Sequence, residues 1–176
     1  MAATFDIPAL LAARLNELRE RIIANIDNAG EKATGATQQS LRVDITDLTG
    51  TLYGRAYFAT VETGRRPGKM PPVQTIKEWI EAKGLHVEPM EYKRTPSERW
   101  QPKYTPIERA LNRMAWGIAY KIGREGSALY RAGGRTDIYT EPIQETVEAI
   151  RIELAGLYRA AIEADIREWN KTMFND

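Results

Sequence analysis

The chain has 176 residues, of which 43% are hydrophobic and 28% are charged. That length fits one domain, and that composition is typical of a globular protein with a buried core. Its 25 basic and 24 acidic residues leave a formal charge of +1, so no general attraction to nucleic acid or to an anionic membrane is predicted. The sequence has no cysteine, which excludes disulfides, thiolate nucleophiles and cysteine metal sites.

The sequence also carries no signal-peptide pattern. Its apolar runs are shorter than the roughly 20 residues that a membrane-spanning helix needs. We therefore expect a soluble protein, made in a cytoplasm, with no membrane partner.

An amphipathic helix is predicted over residues 8–29. Asp6 fits a helix cap, Pro8 fits the first turn, and Gly30 marks the end. The apolar positions recur every three or four residues; they are Leu11, Leu15, Leu18, Ile22 and Ile26. The small polar residues that follow, 31–40, fit either a loop or a helical continuation.

A short hairpin is predicted next. Leu41, Val43 and Ile45 alternate with polar residues, as in a strand, and residues 47–50 supply a turn before a return strand that starts at Thr51. The stretch that follows, residues 55–64, fits a strand as well as a helix.

The middle of the chain contains two further predicted helices. The first covers residues 73–83, with Val73, Ile76, Trp79 and Ile80 as its apolar stripe. The second begins near Thr105, where Pro106 and Glu108 complete a capping pattern, and Gly123 and Gly126 loosen its end. Between the two helices, prolines interrupt residues 85–104, which we interpret as an extended arm or insertion with a short strand at 85–87.

The last predicted element is a long C-terminal helix over residues 141–170, preceded by a turn at 131–136 and an extended piece at 137–140. Its heptad seam consists of Ile143, Val147, Ile150, Leu154, Leu157 and Ala161. Beyond the seam the apolar stripe shifts to Ile162, Ile166 and Trp169. The seam packs either on its own domain or on a neighbouring subunit. The whole chain, 1–176, is predicted to be one α+β domain dominated by helix.

No arrangement that carries enzyme chemistry is recognisable in the sequence. His86 is the single histidine and falls in an irregular loop, so a metal site or a nucleophilic triad is not expected. Paired carboxylates at Glu62, Glu78 and Glu81 are the remaining candidates for catalysis, and solvated or structural roles are expected for them. We predict no catalytic residue, no cofactor and no metal.

The loop over residues 64–72 is the most distinctive local feature. Its charged residues are Arg65, Arg66 and Lys69, its stiffening residues are Pro67, Pro71 and Pro72, and Met70 offers an adaptable apolar contact. Such a loop can dock on an acidic partner surface, contact a phosphate backbone, or serve as a solvent-exposed connector.

Two segments carry a family resemblance. In VETGRRPGKMPPVQTIKEWIEAKGL, an acid and a glycine precede the basic, proline-rich loop, and a Met-Pro-Pro step leads into a helix with a tryptophan. The matching residues are Glu62, Gly64, Arg65, Arg66, Pro67, Met70, Pro71, Pro72, Trp79, Lys83 and Gly84. Together with ALNRMAWGIAYKIGREG further on, this run resembles the tail-completion, or minor tail-component, proteins of tailed bacteriophages. The likeness is close over the middle third; residues 86–104 and the C-terminal helix are longer than the family pattern.

The resemblance implies a structural role at the head–tail junction or at the end of the tail tube. It implies a ring of six or twelve copies that contacts portal, neck or tail proteins, with genomic DNA passing through the lumen without sequence-specific binding. The chain would then reside in the virion after assembly in the host cytoplasm. The residues expected at contacts are Arg65, Arg66, Pro67, Lys69, Met70, Pro71, Pro72 and Trp79, with Glu145, Glu148 and Glu153 as an acidic partner face.

Two other functions stay open on the sequence alone. A small nucleic-acid-binding protein would use the basic loop, although the near-neutral charge disfavours it. A hydrolytic enzyme with dispersed carboxylates has the least support.

Overall fold

A computed structural model describes residues 6–30, 35–94, 96–97, 99 and 101–174 of the chain. The elements, in chain order, are α1 (Ile7–Asn28), α2 (Ala36–Gln39), β1 (Arg42–Thr46), β2 (Thr49–Tyr53), α3 (Thr60–Thr63), α4 (Val73–Ala82), α5 (Pro106–Glu125), α6 (Ala128–Arg131) and α7 (Thr140–Phe174). Helix predominates, and the two strands form a small antiparallel sheet. The predicted α+β class with a long C-terminal helix is therefore confirmed.

The chain divides into two compact units. The first unit is drawn from Met1–Gly30, Thr37–Ala56 and Thr136–Asp176, and the second from Glu31–Ala36 and Tyr57–Arg135. The expectation of a single domain stays a prediction, because compact parts of one chain can fold together or separately.

Helix α1 forms the centre of the first unit. The Asp6 carboxylate accepts the N–H of Ala9 at 2.9 Å, which caps the helix as the sequence predicts. Leu18, Ile22 and Ile26 are buried on the face that meets the hairpin and α7. Burial of side chains of this size stabilises the unit by roughly 1.5–3 kcal/mol each.

The hairpin has a tighter turn than the sequence suggested. Its register pairs Thr46 with Thr49 and Ile45 with Gly50, so only Asp47 and Leu48 lie in the turn. The expected turn over residues 47–50 was wrong, because the strand pairing begins at once on both sides and Asp47 takes the left-handed backbone (φ 51°).

Helix α7 packs antiparallel to α1. The side-chain amide of Asn25 donates to the carbonyl oxygen of Asp137 at 2.8 Å, and Arg21 pairs with Glu145 at 2.6 Å. The predicted extended piece at 137–140 was wrong: residues 137–139 form a turn. Ile138 is fully buried within this turn. Burial of an apolar side chain is equally favourable in a turn and in a strand, so an apolar residue at this position did not distinguish the two.

The second unit is built on α4 and α5. Ile76 and Ile80 of α4 pack against Ala115 and Ala119 of α5, whose small side chains let the two helices approach closely. The predicted capping pattern at the start of α5 is confirmed, since the carboxylate of Glu108 accepts the N–H of Thr105 at 2.8 Å while the Thr105 hydroxyl accepts that of Glu108 at 3.2 Å. The bond from the Thr105 N–H, together with one from the Thr105 hydroxyl, holds the pKa of Glu108 below its usual range.

In the second unit the structure decides the ambiguous stretch at 55–64 and corrects the strand predicted at 85–87. Residues 57–59 form a turn that leads into α3, so the ambiguous stretch contains a short helix. The strand expected at 85–87 was wrong: the described residues of 85–104 form no helix and no strand. The N–H of Leu85 instead donates to the carbonyl oxygen of Ile80 at 3.1 Å, closing the end of α4. His86 is exposed, as predicted.

Candidate assembly surfaces

The basic loop, residues 64–72, is anchored to the end of α5 and the start of α6. The N–H of Gly68 donates to the carbonyl oxygen of Gly123 at 2.8 Å. Arg65 and Ser127 exchange two bonds: the Arg65 N–H donates to the Ser127 hydroxyl at 2.9 Å, and the Ser127 N–H donates to the Arg65 carbonyl at 2.8 Å. The loop is therefore a positioned structure and not a loose connector.

Three glycines permit this close approach. A Cβ on Gly64 would lie 2.3 Å from the backbone nitrogen of Tyr130, and one on Gly126 would lie 2.8 Å from the carbonyl oxygen of Arg65. On Gly123 it would lie 3.1 Å from the Cα of Met70. Glycine is needed at Gly64 and Gly126, where a Cβ would lie under 3 Å from a neighbouring backbone, and the space at Gly123 is tight. The two segments that carry the family resemblance thus contact each other in the fold.

Most of the predicted contact residues in the loop are exposed. The exposed residues are Arg65, Arg66, Pro67, Lys69, Met70 and Pro72, whereas Pro71 is buried. The Arg65 guanidinium donates to the carbonyl oxygen of Lys69 at 2.9 Å, which holds the loop in a closed turn. The loop therefore presents its cations outward from a fixed backbone.

A groove of about 570 Å³ lies beside the loop, within the second unit. Its lining joins Arg65 and Trp79, two residues that the sequence singled out separately, to apolar side chains of α4, α5 and α6. Those apolar side chains are Ile76, Ile118, Ile122 and Leu129. Trp79 is 39% exposed although it belongs to the apolar stripe of α4. The groove therefore offers an apolar floor that the sequence did not reveal.

The rim of the groove is basic. Lys121 and Arg131 line it together with Arg65. Glu125, next to the groove, forms ion pairs with Arg131 at 3.7 Å and with Arg124, which is outside the lining, at 2.5 Å. The hydrogen bond from Arg124 is the main reason that the pKa of Glu125 lies below its usual range. The lining therefore contains three cations and no carboxylate, which gives the groove a positive charge.

The predicted acidic face of α7 is engaged within the chain. Glu145 pairs with Arg21, and Glu153 forms an ion pair and hydrogen bonds with Arg14. The hydrogen bond from Arg14 holds the pKa of the Glu153 carboxyl below its usual range. Glu148 pairs with Arg151 on its own helix at 3.3 Å. Their contact with the basic loop of another copy stays a prediction.

The C-terminal part of α7 has an uncovered apolar face. Ile162, Ile166, Trp169 and Met173 are between 53% and 60% exposed. Their spacing of four, three and four residues places them on one side of the helix. We call residues 162–174 the α7 tip and these four side chains the tip stripe.

The register of the two long helices explains why the tip is uncovered. Arg21 lies level with Glu145, and Arg14 lies level with Glu153. At one rise of 1.5 Å per residue, the start of α1 at Ile7 lies level with about residue 161 of α7, which leaves roughly 20 Å of helix beyond it. Within the described residues, α1 therefore has no part against which the tip stripe can pack.

Helix α5 exposes a second patch, with aromatic and basic character. The rings of Trp116 and Tyr120 stack with centroids 5.4 Å apart, and the two side chains are 54% and 49% exposed. Arg124 lies over the Tyr120 ring at 5.9 Å, and Arg113 is exposed at the other end. This patch was not predicted from the sequence, although the spacing of three and four residues between its members was a visible signal.

The described residues contain no group of three or more side chains suited to hold a metal ion. Glu62 is buried on α3, while Glu78 and Glu81 are exposed on α4.

No helix in the described part of the chain combines the length and the apolar character needed to cross a bilayer.

Comparison of the chain with protein-family models, with curated proteins and with solved structures gave no match. The function of the chain must therefore be argued from the surfaces described above.

Proposed function

We propose that the chain is a virion structural subunit of a tailed bacteriophage. In this proposal it forms a ring with copies of itself at the neck or at the end of the tail, between portal and tail proteins. The observation that carries the proposal is the tip stripe, an exposed apolar face on a helix that extends beyond its intrachain partner.

An uncovered stripe of this kind supports an assembly role on energetic grounds. Full burial of a large apolar side chain stabilises a contact by roughly 1.5–3 kcal/mol relative to exposure. Four such side chains on one helix face make a contiguous patch, and such patches mark interaction sites on soluble proteins. Tryptophan is also among the residues that most often dominate binding energy.

The family resemblance supports the same proposal from a different direction. The two segments that carry it, around Arg65 and around Gly123, lie against each other and border the groove. Both segments therefore contribute residues to one surface. The resemblance supplies the phage context, and the geometry supplies surfaces suited to assembly.

Self-assembly is tested by the mass of the purified chain in solution, measured by light scattering. Trp169→Lys places a charge in the tip stripe, while Asn170→Lys places the same charge one residue away, outside the stripe. We expect rings in the wild-type chain and in Asn170→Lys, and a lower mass for Trp169→Lys. Equal masses for the two variants would remove the tip stripe from the proposal.

The virion assignment needs its own experiment. Particles purified from the phage that encodes the chain are digested, and their peptides are counted by mass spectrometry. The proposal predicts a fixed, low copy number per particle. Absence of the chain from intact particles would overturn the virion role, whatever the mass of the purified protein.

A second candidate function is nucleic-acid binding, and the α5 patch favours it. Residues 109–124 contain four cations and no carboxylate. Stacked aromatic rings flanked by arginines are suited to unpaired bases and to phosphates. In this candidate the contact residues are Trp116 and Tyr120, with the basic loop as a further phosphate contact.

A further inference from the structure

We propose that the α7 tip of one copy occupies the groove in the second unit of a neighbouring copy. The occupant is thus a second copy of this chain, and the contact joins two different surfaces. This inference rests on the proposed function and identifies the two surfaces that meet in it.

The apolar groups of the two surfaces match in kind and spacing. Ile162, Ile166 and Trp169 follow the spacing i, i+4, i+7, with which amphipathic helices enter apolar grooves. The groove floor offers Ile118 and Ile122 of α5 for them to contact. Both surfaces are exposed to solvent within the described chain, so their contact would remove apolar area on both sides.

The charges at the edges are complementary. Successive residues of a helix are rotated by about 100°, so Asp165 lies along one edge of the tip stripe, whereas Glu168 lies towards the opposite side of the helix. The opposite edge carries Glu163, which is already paired with Arg159 at 3.0 Å. The groove presents Lys121 and its neighbouring arginines. The Asp165 carboxylate at the edge of the tip and the cations that line the groove are therefore of complementary charge, which favours one orientation of the helix in the groove.

The sizes are also compatible. The groove volume of about 570 Å³ lies within the range of roughly 300–1,000 Å³ that holds drug-sized ligands. It is too small for a whole helix, which has a diameter of about 10–12 Å, and large enough for a few of its side chains. In the inferred contact, Trp169 and Ile166 enter the groove while the backbone of the tip lies across its opening.

The two-surface contact has a consequence for symmetry. A contact between different patches repeats around a ring or along a filament, whereas a contact of one patch with itself closes at two copies. Pairing of one tip with another tip would be of the second kind. The proposed tip-to-groove contact is therefore the geometry that a ring requires.

The absence of cysteine in the chain makes a direct test possible. One variant carries Ile166→Cys in the tip, and a second carries Leu129→Cys in the groove. Each is oxidised alone and as an equal mixture, and the products are separated on a non-reducing gel. Circular dichroism and light scattering on the same samples report fold and assembly. If Ile166→Cys lowers the assembled fraction, Asn170→Cys, beside the tip stripe, replaces it.

We expect a disulfide-linked dimer in the mixture and almost none in either variant alone. Dimers of the tip variant alone would overturn the inference, because they mean that tips meet tips. Assembled mixtures without the mixed dimer would overturn it as well, while leaving the proposed function intact. Samples that stay monomeric at all concentrations would instead remove the proposed function itself, and the inference with it.

Discussion

The backbone N–H of Gly68 donates to the carbonyl oxygen of Gly123 at 2.8 Å, and this bond joins the basic loop to the last turn of α5. The loop therefore has a fixed position beside the groove. Arg65 of this loop lines the groove, so in the proposed contact its charge acts on the helix that the groove holds.

The first prediction concerns the space around Gly123. Gly123→Ala and Gly117→Ala both replace a helical glycine in α5, and each gains about 0.5–1 kcal/mol of helix propensity. A Cβ at position 117 meets nothing within 4 Å, whereas a Cβ at 123 lies 3.1 Å from Met70. We expect urea unfolding to show a higher free energy of unfolding for Gly117→Ala and a smaller gain, or a loss, for Gly123→Ala. Equal gains would mean that the loop is not closely packed on α5.

The second prediction concerns the acid dependence of the first unit. The folded-state pKa of Glu153 is depressed, mainly by the hydrogen bond from Arg14. The carboxylate therefore contributes stability above the unfolded-state pKa, about 4.3, and that contribution is lost as the pH falls through the lower, folded-state value. Glu153→Gln should unfold more easily than the wild type at pH 7, and the difference should narrow towards pH 3.

Glu148→Gln is the matched control for that prediction. Glu148 pairs with Arg151 on the exposed surface of the same helix, and exposed pairs contribute little to stability. Its unfolding curve should follow the wild type across the pH range. A difference between Glu153→Gln and the wild type that stays constant with pH would contradict the assigned ion pair.

The third prediction separates two neighbouring arginines of the basic loop. Arg65 lines the groove, whereas Arg66 is exposed and does not line it. Arg65→Glu should therefore weaken assembly at low ionic strength more than Arg66→Glu does, and added salt should reduce the difference between them. Sedimentation at about 20 mM and 300 mM salt measures this. If Arg65→Glu and Arg66→Glu weaken assembly equally, the total charge of the loop matters for assembly and the position of Arg65 in the groove does not.

The fourth prediction tests the nucleic-acid alternative. If the α5 patch binds unpaired bases, replacing both Trp116 and Tyr120 by alanine should weaken binding of a labelled single-stranded oligonucleotide by about tenfold or more. Tyr57→Ala is the control, since it removes an exposed aromatic ring outside both the patch and the basic loop. Fluorescence anisotropy at low salt makes the measurement. No binding by the wild-type chain, or binding that survives the double substitution, would eliminate this patch as a nucleic-acid site.

Local signals in the sequence predicted several elements well. The caps at Asp6 and Thr105, and the apolar repeats of α1 and α4, act within one or two helical turns, so neighbouring residues reveal them. The hairpin turn was misplaced because its register depends on which residues of two strands pair, here Thr46 with Thr49. Such pairing is only weakly encoded in the turn residues themselves.

The candidate site could be predicted only in part. The charges of the basic loop follow from composition, and the apolar positions of the α7 stripe follow from their spacing. The exposure of that stripe does not, because it depends on where α1 ends beside α7. The anchoring of Arg65 on Ser127, and the pairing of Glu145 with Arg21, join positions far apart in sequence. The groove arises from the packing of several helices, and no local pattern describes such a cavity.

The mass of the purified wild-type chain in solution tests the central claim most directly. Light scattering across a wide range of concentrations, with Trp169→Lys measured beside it, should give one closed multiple of the subunit mass for the wild type and a smaller species for the variant. A wild-type chain that remains monomeric at every concentration would contradict the account.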